Sequence, residues 1–168
     1  MRLPQGVEWV LHCAWVIAAV PSGVPISCRN LAEYHGVPDA YLSKQLQALV
    51  RAGILVATGG PRGGFRLSRP AEEITVADVV EAIDGSSSLF FCTEIRKRGP
   101  DVLPPDCHRQ ACGIATVMRD AEEVWRAQLS RTTVADLVDS APQEARQRAV
   151  RWAALLKASG PPARGASG

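Results

Sequence analysis

The sequence lacks several features that would assign the protein to particular classes. No two of its five cysteines are separated by just two residues, so it lacks the Cys-x-x-Cys pairs of many zinc sites. An odd number of cysteines argues against a fully paired disulfide framework. The largely apolar stretch 7–20 is too short to span a membrane and contains Glu8 and His12. These absences favour a reducing compartment, and we expect a cytoplasmic protein whose first helix is buried.

The chain length and the distribution of charge limit what remains. A chain of 168 residues accommodates one buried core and a long extra element, and is short for two independent domains. Residues 1–70 contain seven lysines and arginines against three acids, whereas the rest of the chain contains twelve against fourteen. The N-terminal part is therefore the candidate for binding a polyanion such as DNA.

Two helices joined by a tight turn are predicted near the start of the chain. Ser27 is a typical N-cap for a helix over 28–35, and Gly36 suits its end. Beyond the turn at Val37-Pro38-Asp39, a second helix is predicted over 39–52 with an apolar stripe along one side. Such a pair is the helix-turn-helix arrangement, whose second helix enters the major groove of DNA.

A small hairpin is predicted directly after the second helix. Residues 54–57 and 65–67 have the pattern of strands, and the glycine-rich segment 59–64 has the pattern of a turn. A basic hairpin in this position is a wing. Thr75 then caps a predicted helix over 76–83.

The second half of the chain is predicted to hold a long loop, a long helix and two short helices. We expect a winged helix-turn-helix domain over 1–85 and a cysteine-bearing sensor loop over 86–111. The region 112–158 is expected to hold a dimerisation helix from Cys112 to about residue 130 and two short helices over 133–138 and 145–157. Residues 159–168 are expected to form a disordered tail. The predicted fold class is mostly α with a small β-wing. The long helix is predicted to dimerise, because it has spare apolar surface that a second copy would cover.

Several sequence blocks together carry a family resemblance over roughly residues 1–138. They are Tyr41-Leu42-Ser43-Lys44-Gln45-Leu46, Ala52-Gly53-Ile54, Pro61-Arg62-Gly63-Gly64-Phe65, Ile74-Thr75-Val76-Ala77-Asp78-Val79 and Thr133-Val134-Ala135-Asp136-Leu137. In these blocks the chain resembles the Rrf2 family of bacterial winged-helix regulators, some of which hold iron–sulfur clusters. The resemblance implies a homodimer crossed at the long helix and bound to a two-fold DNA operator, and it implies no enzymatic activity.

Candidate DNA-binding residues follow from the predicted helices and wing. Side chains that reach base edges give sequence choice, and basic side chains on phosphates give salt-sensitive affinity. For the major groove we expect Tyr41, Ser43, Lys44 and Gln47; for the backbone, Ser27, Arg29 and Arg51; and for the wing, Arg62, Gly63, Gly64 and Arg66.

The resemblance also implies that loop cysteines hold an iron–sulfur cluster. Cys92 follows the apolar run Leu89-Phe90-Phe91 as the first family cysteine does, and Cys112 directly precedes the long helix as the last does. The family's middle cysteine is missing near Cys92, and Cys107 comes much later. We therefore leave the role of Cys107 open.

Two residues of the first helix are candidates for the remaining ligands. Glu8 and His12 are four residues apart, so they share one helix face. In some family members an acidic residue of this helix, supplied across the dimer, is a ligand. We expect Glu8, His12, Cys92 and Cys112 around a 2Fe–2S cluster. The alternative set is Cys92, Cys107 and Cys112 with either Glu8 or His12, around a 2Fe–2S or 4Fe–4S cluster.

Three other interpretations of the cysteines stay open. A cluster-free regulator of the same fold would use a reversible Cys107–Cys112 disulfide. A zinc site would use Cys92, Cys107, His108 and Cys112. An enzyme using Cys107-His108 is disfavoured because sequence neighbours seldom adopt the geometry of a nucleophile and its base. Cys13 and Cys28 are expected to pack as small apolar residues.

Overall fold

The computed structural model describes residues 3–21, 23–60, 63–85, 88–98, 100, 104 and 111–158. Its helices are α1 (Gln5–Ala19), α2 (Cys28–His35), α3 (Asp39–Arg51), α4 (Val76–Asp84), α5 (Gly113–Arg131), α6 (Val134–Asp139) and α7 (Gln143–Ala158). Its strands are β1 (Leu55–Thr58) and β2 (Gly64–Leu67), and single 3₁₀ turns lie at Ala71–Glu73 and Ile95–Lys97. The predicted fold class, mostly α with a small β-wing, is confirmed. Among the described residues, none of the helices is long and apolar enough to cross a membrane.

The helix-turn-helix forms where the capping residues predicted it. The Ser27 side chain accepts a hydrogen bond from the Asn30 N–H at 3.2 Å and so caps α2. Gly36 ends that helix in the left-handed region with φ 66°, a conformation that costs a glycine little. Helix α3 packs against α2 and ends at Arg51, one residue earlier than predicted.

The wing is an antiparallel hairpin that is held to the segment preceding α2. Leu55 pairs with Leu67, and Thr58 pairs with Gly64. Ile26 extends this pairing, because it exchanges two backbone hydrogen bonds with Phe65 at 3.0 and 2.8 Å. A Cβ on Gly64 would lie 2.4 Å from the backbone of Ile26. This glycine is therefore required by packing within the protein.

Helix α1 lies at the centre of the core. Its apolar positions are buried against α3, α4, α6 and β2, which explains its continuous apolar sequence. Helix α7 covers another part of α1 and buries Ala149 and Ala153. The Trp152 ring lies 4.6 Å from the Tyr34 ring of α2, with Arg148 over the same ring at 4.8 Å.

Helices α4 and α6 begin side by side. Thr75 and Thr133 each cap their helix with a complete capping box. Each threonine hydroxyl accepts from the backbone N–H of Asp78 or Asp136, and that aspartate's carboxylate accepts from the threonine N–H. The two threonines also form a β-bridge. The Val76 N–H donates to the Thr132 carbonyl and the Val134 N–H to the Ile74 carbonyl, both at 2.8 Å. The segment between the two threonines therefore begins and ends at the same point.

Candidate DNA-binding surface and cysteine site

Helix α3 presents one buried and one open face. The buried face of α3 carries Leu42, Leu46 and Leu49, whose side chains are fully buried. Predicted contact residues lie on the open side, where Lys44, Gln47 and Arg51 are exposed, while Ser43 is half-buried. The spacing of three and four residues places the three exposed side chains along one face.

Tyr41, another predicted contact residue, packs against helix α1. Its side chain is 41% exposed, and its ring meets the Trp9 ring of α1 edge-on at 5.0 Å. Trp9 directly follows Glu8 in the sequence. The start of α3 is thus in direct contact with the part of α1 that carries the candidate ligands.

The other predicted DNA-binding residues that the structure describes divide into three groups. Arg29 and Arg66 are exposed, and Arg29 pairs with Glu33 at 3.0 Å on the surface of α2. The Ser27 hydroxyl oxygen is occupied as a helix cap. Gly63 and Gly64 allow the wing backbone to pack closely on itself and on Ile26, a reason that the sequence did not reveal. Arg62 lies outside the described residues.

Cys92 and Cys112 are brought together, twenty positions apart in sequence. Cys112 is the N-cap residue of α5, and the Cys92 side chain lies close enough to contribute to lowering the pKa of its thiol. The first-turn N–H of Ala115 lowers the pKa of the Cys112 thiol, and the N–H of Ile114 and the Arg96 charge act in the same direction. A thiolate ligand is thereby favoured at this position. Cys107 and His108 lie outside the described residues.

Glu94 and Arg96 flank this cysteine pair. The Cys92 thiol lies 3.8 Å from Glu94 Oε1, and Arg96 pairs with the same carboxylate at 2.9 Å. Glu94 has a left-handed backbone with φ 50°, which is uncommon outside glycine. Arg96 lowers the pKa of the Glu94 carboxyl by hydrogen bonding. An alternation of charge over three residues gives no sequence signal for such a contact, so neither residue was predicted.

Cys13 and Cys28 lie in a different environment. Cys13 is fully buried, and burial raises the pKa of its thiol to about 12. Burial, with hydrogen bonding to Asp39, also raises the pKa of the Cys28 thiol to about 12. These two thiols stay protonated at neutral pH, which agrees with the packing role predicted for them.

Glu8 and His12 lie on the exposed side of α1. In the described part of the chain they form no ion pair with each other, and no group of three potential metal ligands comes together there. The two residues are therefore not gathered around Cys92 and Cys112 within one protomer. The His12 ring lies 5.7 Å from the ring of His35, whose Nε2 is buried without a hydrogen-bond partner.

Comparison with known proteins decides the family. The model of the Rrf2 family, described as iron-dependent transcriptional regulators, matches residues 3–140. The chain belongs to the Rrf2 family. A curated relative, protein aau3 of Rhizobium meliloti, is 36% identical over 144 residues that cover 85% of this chain and 88% of the relative.

Two solved structures show the likeness of fold. The chain matches T. potens IscR with a TM-score of 0.65 at 19% identity, covering 86% of this chain and 90% of that one. It matches CymR, the global cysteine regulator of B. subtilis, with a TM-score of 0.63 at 20% identity, covering 84% and 99%. The likeness confirms the winged-helix fold.

Membership of the Rrf2 family confirms three predictions. The family is the one that the sequence blocks indicated, and the protein is a DNA-binding transcriptional regulator. The members of this family are not enzymes, as expected from the sequence. Helix α7 begins at Gln143, beyond the last residue of the family match.

Proposed function

We propose that this Rrf2 protein is a cytoplasmic homodimeric regulator whose DNA affinity responds to redox state, nitric oxide or iron supply through an iron–sulfur cluster. The observation that carries the proposal is the meeting of Cys92 and Cys112 at the first turn of α5. Two adjacent thiols, one of them stabilised as a thiolate, suit the sulfur-seeking irons of a 2Fe–2S cluster. When bound, the cluster would supply a centre that changes charge on electron transfer.

Glu8 and His12 are proposed to complete the ligand set from the partner subunit. Both side chains face outward from α1, where a second protomer can reach them. Oxygen and nitrogen ligands would leave the cluster less negative than four thiolates, and so raise its potential. Cys107 stays an alternative to one of the two, with a 4Fe–4S cluster as the corresponding alternative.

Dimerisation is proposed through the outer face of α5. Val117 and Val124 are 66% and 71% exposed, and Ile114 and Met118 extend the same apolar surface. An apolar surface of this extent on a helix otherwise packed against its own domain favours burial against a second copy. The dimer would place two α3 helices on the two halves of a symmetric operator, with 1–85 reading DNA and 86–111 sensing.

The DNA contacts are tested by binding to a duplex selected from a random pool with the wild-type protein. Lys44→Ala should weaken binding about tenfold and reduce the salt dependence, because one phosphate or base contact is lost. Arg119→Ala removes an exposed charge of α5 and serves as the matched control. Equal affinity of both variants would exclude α3 as the recognition helix.

The cluster is tested by an anaerobic absorption spectrum with iron and sulfide quantification. We expect a coloured wild-type protein with about two irons per subunit. Cys92→Ser and Cys112→Ser should lose the colour, His12→Ala and Glu8→Ala should shift the spectrum, and Cys28→Ser should match wild type. A coloured protein unaffected at Glu8 and His12 would favour the three-cysteine set.

A cluster-free thiol switch is the second candidate. The lowered pKa of the Cys112 thiol favours it, since such a thiol is more readily oxidised, here to the reversible Cys107–Cys112 disulfide expected from the sequence. A wild-type protein that stays colourless after anaerobic reconstitution, and whose DNA affinity changes on treatment with a disulfide oxidant, would support this candidate over the cluster.

A further inference from the structure

Glu122 joins the cysteine-bearing segment to α5. Its side chain is 11% exposed. One carboxylate oxygen, Oε2, accepts hydrogen bonds from the Ser88 hydroxyl at 2.7 Å and from the Leu89 N–H at 3.0 Å. Ser88 and Leu89 lie three to four residues before Cys92. The carboxylate therefore fixes the start of the segment on which Cys92 lies.

The other oxygen of the same carboxylate connects to α4. Glu122 Oε1 accepts from Arg126 Nε at 2.9 Å, and Arg126 Nη1 pairs with Glu81 of α4 at 2.7 Å. We refer to Ser88, Leu89, Glu122, Arg126 and Glu81 as the Glu122 network. Helix α4 packs against both α5 and α3. The network and this packing form one continuous path from the segment before Cys92 to the recognition helix.

We propose that the Glu122 network transmits changes at Cys92 to α3, and that Glu122 is a positioning residue for the sensing site. The inference rests on the proposed function in that a change at Cys92 is taken as the signal. Charge-assisted hydrogen bonds are short and directional, so a displacement of Ser88 and Leu89 moves Arg126 and Glu81 with it. By reciprocity, DNA bound at α3 must also alter the environment of Cys92.

Glu122→Gln is the informative change. The Leu89 N–H and Arg126 can only donate, and an amide has one acceptor oxygen, so glutamine cannot accept from both. The charged guanidinium forms the stronger hydrogen bond, so we expect the Leu89 N–H to lose its acceptor. Glu123→Gln is the matched control, because it removes the same charge from the next residue of α5, which is exposed. Ser88→Ala is a milder second variant, which leaves the Glu122–Arg126 contact in place.

The first measurement is hydrogen exchange of cluster-free protein without DNA. Exchange across residues 88–92 should accelerate at least about tenfold in Glu122→Gln, which corresponds to the loss of one charge-assisted hydrogen bond. Glu123→Gln should match wild type. Unchanged exchange in Glu122→Gln would overturn the positioning role.

The second measurement uses the cluster-free protein and a selected DNA duplex. In wild type and in Glu123→Gln, DNA should change the rate of Cys92 alkylation by iodoacetamide, whereas in Glu122→Gln and Ser88→Ala that change should shrink or vanish. A wild-type rate independent of DNA, or a full DNA effect in Glu122→Gln, would overturn the inference. Because neither readout requires a cluster, a colourless wild-type protein would refute the proposed cluster without deciding the network.

Discussion

At the scale of single residues, the four described cysteines differ because of what surrounds each sulfur. The first-turn N–H groups of α5 lower the pKa of Cys112, whereas burial raises the pKa of Cys13 and of Cys28 to about 12. A thiolate needs donors or positive charge nearby, and a protein core supplies neither. The position of a cysteine in the fold therefore decides whether its sulfur reacts.

Alkylation kinetics test this difference. In cluster-free protein at neutral pH, Cys112 should react with iodoacetamide at least about tenfold faster than Cys13 or Cys28, because a larger fraction is thiolate. Rates per residue follow from mass spectrometry of quenched samples. In urea the three rates should converge, and a native Cys28 as fast as Cys112 would contradict the assignment.

His35 makes stability depend on pH. Burial lowers its pKa to about 4, and the charges of His12 and Arg148 act in the same direction. A histidine depressed in the folded state stabilises the protein above its unfolded pKa, near 6.5, and that contribution is lost as the pH falls towards 4.

We expect wild type to lose about 1 kcal/mol more stability than His35→Leu between pH 7 and pH 5, a figure reduced for the partial exposure of the ring. Urea unfolding of both proteins at the two pH values measures the difference. Equal losses would show that protonation of His35 is not linked to folding.

The sequence identified Cys92, Cys112, Glu8 and His12 as a set, but only part of their arrangement follows from it. Cys112 was predicted as a site residue because the family that the chain resembles has its last cysteine directly before the long helix. Glu94 and Glu122 were not predictable, because their roles depend on long-range contacts that no local spacing encodes. Single polar residues in loops and on helix faces have the same appearance whether they are solvated or bonded.

At the scale of elements, local chemistry predicted the fold well. Ser27, Gly36 and Thr75 fixed helix ends to within a residue, because capping and left-handed turns are decided by adjacent atoms. The main difference is α7, which runs from Gln143 to Ala158 and packs on α1 and α2. A short amphipathic pattern reveals a helix but not the surface that it covers.

The paired capping boxes should stabilise the protein together. Thr75→Ala and Thr133→Ala should each lower the free energy of unfolding by about 1 kcal/mol, since each loses the acceptor for a first-turn N–H. Because the two threonines form one bridge, the double variant should depart from additivity.

Thr132→Ala is the control for these variants, as its hydroxyl donates to the Gln128 carbonyl at the end of α5 and accepts no first-turn N–H. Urea denaturation of wild type and of the four variants gives their free energies of unfolding. A loss in Thr132→Ala equal to that in Thr133→Ala would show that the capping box contributes nothing specific.

At the scale of the whole molecule, the proposed dimer depends on the outer face of α5. Val117→Lys should convert the dimer to a monomer, because a charge would be buried in an apolar interface. Operator affinity should then fall at least about tenfold, since two linked half-sites become independent. Light scattering after size exclusion measures the first effect, and anisotropy the second.

Ser130→Lys places the same charge at an exposed position of α5 that lies on the opposite side by helical period. It should remain dimeric. A dimeric Val117→Lys protein would move the interface to another surface.

The bridge between Thr75 and Thr133 gives α5 a mechanical property. The C-terminal end of α5 is fixed at this point, beside the start of the core helix α4, so we expect displacements of α5 to approximate rotations about that pivot. The nineteen residues of α5 place Cys112 about 28 Å from the pivot, and Arg126 about a quarter as far. A displacement of α5 at Cys112 would therefore be roughly four times as large as the displacement at Arg126, where the helix contacts α4. A large displacement at Cys112 would thereby produce a smaller displacement next to the part of the chain proposed to bind DNA.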